Sequence, residues 1–160
     1  MREAFTERLK AAMRAKDTRT LSTVRLILAG LKERDVAARG PTGQARGLTA
    51  DGNPAGIADS EILRMLQGMV KQRRESIALY RQGNRPELAQ QEEEEILIIE
   101  SFLPRQMSEE ETLAAATAAI TDTGAAGIKD MGRVMAALRE RHAGGLDMAK
   151  AGAAVKRLLG

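Results

Sequence analysis

The sequence predicts an all-α protein: an N-terminal helical body with a long antiparallel helix pair, followed by a small C-terminal helical domain. Three observations predict it. Apolar residues recur at helical intervals of three and four, and Val and Thr do not cluster in the alternating runs of a strand. Aromatics are scarce, with Phe5, Tyr80 and Phe102 and no Trp, so the core is built from Leu, Ile, Val, Met and Ala, which suits helix packing. Within ILIIESFLPRQMSEEE, at 96–111, Pro104 separates long helical patterns from short ones. The helix expected to end at Leu103 and the one starting after Ser108 belong to different bodies.

The elements follow in order. Residues 2–15 space Phe5, Leu9, Ala12 and Met13 along one helical face. Asp17 and Thr18 interrupt the pattern, and Asp17 or Thr20 suits the cap of the next helix. That helix runs to about Ala38, with Leu21, Val24, Leu28 and Leu31 on one face, widened by Leu26 and Ile27. Residues 40–56, GPTGQARGLTADGNPAG, hold five of the fifteen glycines and two of the four prolines, and read as a mobile surface loop. The loop lacks the spacing and lysine of a phosphate-cradling P-loop.

Asp59 is the expected cap of the following helix, whose stripe is Ile62, Leu66, Met69, Val70, Ile77 and Tyr80. Gly83 and Asn84 end it. Pro86 opens another helix, carrying Leu88, Ile96, Ile99 and Leu103. So short a connection predicts an antiparallel pair. Centring the turn on Asn84 sets Arg73 and Arg74 opposite Glu95 and Glu94, and the basic run Lys71–Arg74 against the acidic run Glu92–Glu95. After Pro104, Ser108 and Glu111 form a capping box, and the helix they start buries Leu113, Ala116 and Ile120 and fades at Gly124. Two short helices close the chain. One starts near Asp130 with Met131, Val134, Met135 and Leu138; the other starts near Asp147 with Met148, Val155, Leu158 and Leu159. Both open Asp, Met, small residue, cation, the Asp suited to capping and the Met to a shared core.

Composition bounds the function. A chain of 160 residues makes one domain, or one plus a small appendage, and buries a core without disulfides or metal. The absence of Cys excludes disulfides, thiol catalysis and cysteine metal sites. The N-terminal MREAFTERLK lacks a signal-peptide core, and no apolar run approaches the roughly 20 residues of a membrane span. A soluble, cytoplasmic protein with no membrane partner is expected. Net charge is +3, unevenly spread: residues 1–39 hold ten Lys/Arg against five Asp/Glu, residues 57–103 six against nine, and residues 128–160 seven against three. Such asymmetry permits an anionic partner.

No catalytic constellation is legible. His142, the single histidine, falls at a helix end with no nucleophile beside it. The serines show neither a nucleophile elbow nor an amidase-like Gly/Ser-rich run. The glutamate run lacks the Glu-x-x-His motifs of di-metal bundles. No cofactor and no metal are expected. What remains is the basic C-terminal third. Lys129 and Arg133 flank Gly132 near a helix start, and Lys150, Lys156 and Arg157 come from the last helix. Cations near helix-start amides suit phosphate groups.

Several runs carry a family resemblance: KAAMRAKDTRTLSTVRLILAGLKERDVAARG, MVKQRRESIALYRQGNRPELAQQEEEEI, FLPRQMSEEE and IKDMGRVMAAL. The most specific pieces are Lys71-Gln72-Arg73-Arg74, Leu103-Pro104-Arg105-Gln106 followed by Ser108-Glu109-Glu110, and Lys129-Asp130-Met131-Gly132. Together they resemble the GatB/YqeY family, similar to the tail of the B subunit of tRNA-dependent amidotransferases. The resemblance implies an N-terminal helical domain at 1–95 and a tail-like helical domain at 96–160. It implies tRNA as a partner, with Lys129, Gly132, Arg133, Lys150, Lys156 and Arg157 as candidate RNA contacts. Phe102 stands where the family has Tyr, and the last helix matches more loosely than Lys129–Gly132.

The leading expectation is therefore a tRNA-binding accessory module without chemistry of its own. The alternative is a protein–protein adapter docking on an amidotransferase or an aminoacyl-tRNA synthetase. Carbon-nitrogen ligase activity with glutamine as amido donor is the least supported, because no residue supplies a nucleophile–base pair or an ATP loop.

Overall fold

A computed structural model describes residues 1–39 and 56–160; all of the loop expected at 40–56 except Gly56 lies outside the described residues. Among the described residues there are seven α-helices, one 3-10 turn and no strand. The helices are α1 (Arg2–Ala15), α2 (Thr18–Arg39), α3 (Asp59–Gln82), α4 (Pro86–Glu100), α5 (Glu109–Thr123), α6 (Met131–Arg141) and α7 (Met148–Leu159), with the 3-10 turn at Ile128–Asp130. The chain is all-α, as its apolar periodicity requires. It divides into two compact units, Met1–Phe102 and Leu103–Gly160.

In the first unit α3 packs most extensively on α4, α1 on α2, and α2 on α4. The core holds Phe5, Val24, Ile27, Ile62, Leu66 and Ile99, all fully buried. Lys16 takes the left-handed conformation that ends α1. Asp17 then caps α2: its carboxylate accepts from the Thr20 amide at 3.0 Å and the Thr20 hydroxyl at 2.7 Å. Those bonds hold the Asp17 carboxyl below its usual range.

The buried face of α2 is centred on Thr20, Thr23, Val24, Ile27 and Leu31, a step round from the expected one. Leu21 and Leu28 are half-buried and Leu26 is 51% exposed. The two threonines enter because their hydroxyls are satisfied locally, Thr23 by donating to the Arg19 carbonyl at 2.9 Å. Asp59 is not a cap. Ala58 holds the cap position of α3, and Glu61 accepts from its amide at 3.3 Å. Asn84, at φ 54°, turns the chain after Gly83, and Pro86 opens α4.

Three ion pairs tie α3 to α4. Arg73 meets Glu95, as the register expects, with Nε 2.8 Å from the carboxylate. Arg74 reaches Glu100 at 3.0 Å instead of Glu94, and Arg81 pairs with Glu93. Glu94 belongs to Arg19 of α2, at 3.2 Å.

The helix α4 ends at Glu100 rather than Leu103. The backbone before Pro104 is biased away from the helical region. Phe102 turns instead onto Phe5, edge to face, with ring centroids 4.8 Å apart and planes at 71°. Ile96 and Ile99 are buried in the first unit's core. The first compact unit accordingly extends through Phe102.

In the second unit α5, α6 and α7 each pack on the other two. Their shared core is Ala116, Ala119, Val134, Leu138, Leu146, Ala151 and Val155, with Met107, Met131, Met135 and Met148 packed at its edge. Leu113 and Ile120 are only half-buried on α5, while Thr112 and Ala119 go in. On α7, Ala151 replaces the expected Leu158, which is 42% exposed. Small residues at these positions let three short helices approach closely.

Candidate nucleic-acid interface

The second unit is organised by two local devices. The first is the capping box of α5. Ser108 Oγ accepts from the Glu111 amide at 3.1 Å, and Glu111 accepts from the Ser108 amide at 2.8 Å. Arg105 adds two hydrogen bonds to the same carboxylate, at 3.2 and 2.5 Å. The Arg105 guanidinium, with the Ser108 amide, holds the Glu111 carboxyl down to about 2. The second device is the strap before α5. Gln106 donates to the Gly144 carbonyl at 2.7 Å and to the Pro104 carbonyl at 3.0 Å. The Met107 amide donates to the Gly145 carbonyl at 2.8 Å. A side chain on Gly145 would meet the Arg105 carbonyl oxygen at 3.3 Å, and Gly144 has φ 77°. Leu103-Pro104-Arg105-Gln106 thus serves to fasten the loop between α6 and α7.

The two Asp-Met openings solve their ends differently. Asp147 caps α7, accepting from the amides of Ala149 at 2.9 Å and Lys150 at 3.1 Å. Asp130 does not cap α6. Its carboxylate turns back to the Ala126 amide at 3.0 Å and pairs with Arg133, also at 3.0 Å. The Ala126 amide is the main cause of its depressed carboxyl pKa, with Arg133 adding to it. Met131 and Met148 both reach the core edge, as their spacing implies.

All six candidate contacts are exposed. They do not share one position. Arg133 is occupied by Asp130. Gly132 has open space where a side chain would stand, so internal packing does not require a glycine there. Lys150 and Arg157 lie two turns apart and line one groove of about 290 Å³ between α5 and α7, with Glu109, Thr112 and Leu113 on its walls. Lys156 lies about 100° round the helix from Arg157. It falls on the flank toward α6, because a side chain on Gly152, one turn before it, would meet Met131 and Met135, and one on Gly160, one turn after it, would meet Ile128. That brings Lys156 level with the α6 start, where Lys129 and Gly132 sit.

Among the described residues Lys129, Lys150, Lys156 and Arg157 form no ion pair, whereas Arg105, Arg133 and Arg141 do. The outward face of α7 runs from Lys156 through Ala149 and Ala153 to Arg157 and Lys150, all exposed. The helix contains no acidic residue. The helix itself adds no carboxylate to offset its cations, and Glu109 borders the groove that Lys150 and Arg157 line. Sequence reasoning missed Glu109, which faces the α5–α7 groove from the other wall, and the pairing of Arg133, although Asp130 and Arg133 stand at the three-residue spacing of helical ion pairs. It also passed over Arg139, exposed on α6 and without an ion pair among the described residues. His142 is half-buried at the C-cap of α6, its amide donating to the Leu138 carbonyl at 3.0 Å. Among the described residues no group of His, Asp or Glu comes together in the arrangement of a metal site, and no helix is long and apolar enough to cross a membrane.

These features define a class: an all-helical protein of two compact units, the second carrying a basic, acid-free helix face. The chain belongs to the YqeY-like family; a family model described as "Yqey-like protein" matches residues 2–159. No curated protein matches the chain. Two of the motifs that carried the resemblance have structural roles here: Arg73 joins α3 to α4, and Leu103–Gln106 fastens the second unit.

Proposed function

We propose that this protein is a tRNA-binding accessory module that holds RNA on its C-terminal unit and contributes no chemistry of its own. The observation that carries this reading is the outward face of α7, where Lys150, Lys156 and Arg157 are exposed, unpaired among the described residues and free of acidic neighbours on their own helix. Unpaired cations of this kind bind phosphate through charge and counterion release. The resemblance of the motifs to the tail of tRNA-dependent amidotransferases supports tRNA as the RNA. Lys129 lies toward the same end of the unit as Lys156 and extends the surface.

Crosslinking RNA to the protein in cells, followed by purification and sequencing, tests the reading. Enrichment of tRNA, abolished in a Lys150→Ala, Lys156→Ala, Arg157→Ala variant, is expected. Recovery of an amidotransferase or an aminoacyl-tRNA synthetase that survives ribonuclease, with no RNA enriched, contradicts it and favours an adapter.

A further inference from the structure

Resting on that reading, we infer that α7 grips the backbone of double-helical RNA and reads no bases. The helices α6 and α7 are poor in the neutral polar and ring side chains that read bases. Phe5, Tyr80 and Phe102 are the aromatic residues of the chain, and all three precede residue 103. Proteins that hold single strands stack successive bases on aromatic rings, and those that read RNA loops splay bases onto such rings or onto Arg planes. The second unit has no Phe, Tyr or Trp, and its one imidazole, His142, is half-buried at the C-cap of α6. Base edges in a groove are read by Asn, Gln, Ser or Thr as well as by Arg and Lys. From Met131 to Leu159, across α6 and α7, the sequence contains none of those four residue types.

What the unit does offer is shape and charge. Cations stand on both sides of the α7 crest, Lys156 on one and Arg157 with Lys150 on the other, and only Ala149 and Ala153 lie between them. Alanines keep the crest low, so the helix can approach a surface while long side chains reach past it on either side. Lys150 and Arg157 are about 10 Å apart along the axis, a spacing that suits a row of phosphates better than one small anion. A-form RNA presents a wide, shallow minor groove bordered by such rows, and is recognised there by shape, 2′-hydroxyl and phosphate contacts. The amides at the start of α7 are occupied by Asp147, so the side-chain cations are the phosphate anchors of this helix.

The test uses the full chain and four probes: an RNA duplex of about two helical turns, one of its single strands, a DNA duplex of the same sequence, and a second RNA duplex of unrelated sequence. The two RNA duplexes are expected to bind within about threefold of each other, and roughly tenfold or more tighter than the single strand or the DNA. The Lys150→Ala, Lys156→Ala, Arg157→Ala variant is expected to lose roughly tenfold or more on the RNA duplex, with its helical circular dichroism unchanged, and Lys150→Arg, Lys156→Arg to retain binding. A single strand bound as tightly as the duplex, DNA bound as tightly as RNA, or strong preference between the two RNA duplexes overturns the inference and leaves RNA binding standing. No binding to any RNA at low salt overturns both the inference and the function proposed above.

Discussion

Arg73 of α3 lies with its Nε 2.8 Å from the Glu95 carboxylate of α4, and among the described residues it is the one charged residue that is buried. Glu92 stands on its other side at 3.8 Å, and Arg19 reaches Glu95 from α2 at 4.0 Å. Three helices are thus registered on one ionic cluster. Arg73 also donates to the Met69 carbonyl one turn back, at 3.3 Å, which fixes its side chain. Replacing it by Met leaves two half-buried carboxylates without their main cation. Arg73→Met is expected to lower stability by about 3 kcal/mol, measured by urea unfolding. A Glu95→Leu change added to it should cost less than the sum of the two single changes.

Glu92 makes the same cluster sensitive to pH. Burial raises its carboxyl pKa, repulsion from Glu95 adds to the rise, and Arg73 opposes it. A raised folded-state pKa favours the protonated form, so the contribution of Glu92 is fully present below the unfolded value of 4.5 and is lost as pH rises through the folded one. Glu92→Gln, which does not titrate, is therefore expected to melt above the parent protein near neutral pH. The difference should vanish at about pH 4 and below.

The second unit has the opposite pH signature. The Glu111 carboxyl is depressed from 4.5 to about 2 by Arg105 and the Ser108 amide. A depressed carboxyl stabilises above the unfolded value, and that stability goes as pH falls from 4.5 through about 2. Acid should thus loosen the start of α5, seen as faster amide exchange at Glu111 and Thr112. Ser108→Ala removes one half of the capping box and is expected to cost about 1 kcal/mol at neutral pH.

Gly56 lies under an ion pair, and its φ is not in the left-handed region. Arg2 grips Asp35 with two hydrogen bonds, at 2.7 and 2.8 Å, and donates to the Ile57 carbonyl at 3.0 Å. A side chain on Gly56 would fall 2.3 Å from both Arg2 and Asp35. Gly56→Ala must displace one of them, and is expected to lower stability by roughly 1–2 kcal/mol in thermal unfolding, the scale of a broken charge-assisted hydrogen bond. Asp35→Asn, which breaks the same clamp, should leave little further for Gly56→Ala to remove.

The elements were legible wherever side chains themselves punctuate the chain. Pro86, Gly124 and the Ser108–Glu111 box mark ends that any helix must respect, and apolar spacing found most of the core. Errors arose where tertiary satisfaction overrode the local pattern. Thr20 and Thr23 are buried while Leu26 is exposed, because their hydroxyls are bonded locally, to the Asp17 cap and to the Arg19 carbonyl, and lose little on burial. Asp59 and Asp130 look like caps, yet Glu61 serves one helix end and the Ala126 amide draws the other carboxylate away. For the candidate site, spacing found the cations but not which of them are engaged. The Asp130–Arg133 pair engages one of the two cations that flank Gly132, and leaves Lys129 and the cations of α7, a helix with no acidic residue of its own, without an ion pair among the described residues.

The measurement closest to the central claim is the salt dependence of tRNA binding by the parent protein and by the Lys150→Ala, Lys156→Ala, Arg157→Ala variant. Removing three phosphate-binding cations from α7 should flatten the plot of log affinity against log salt by about 2–3 and weaken binding most at low salt. An unchanged slope and affinity in the variant would contradict the assignment of RNA binding to this helix.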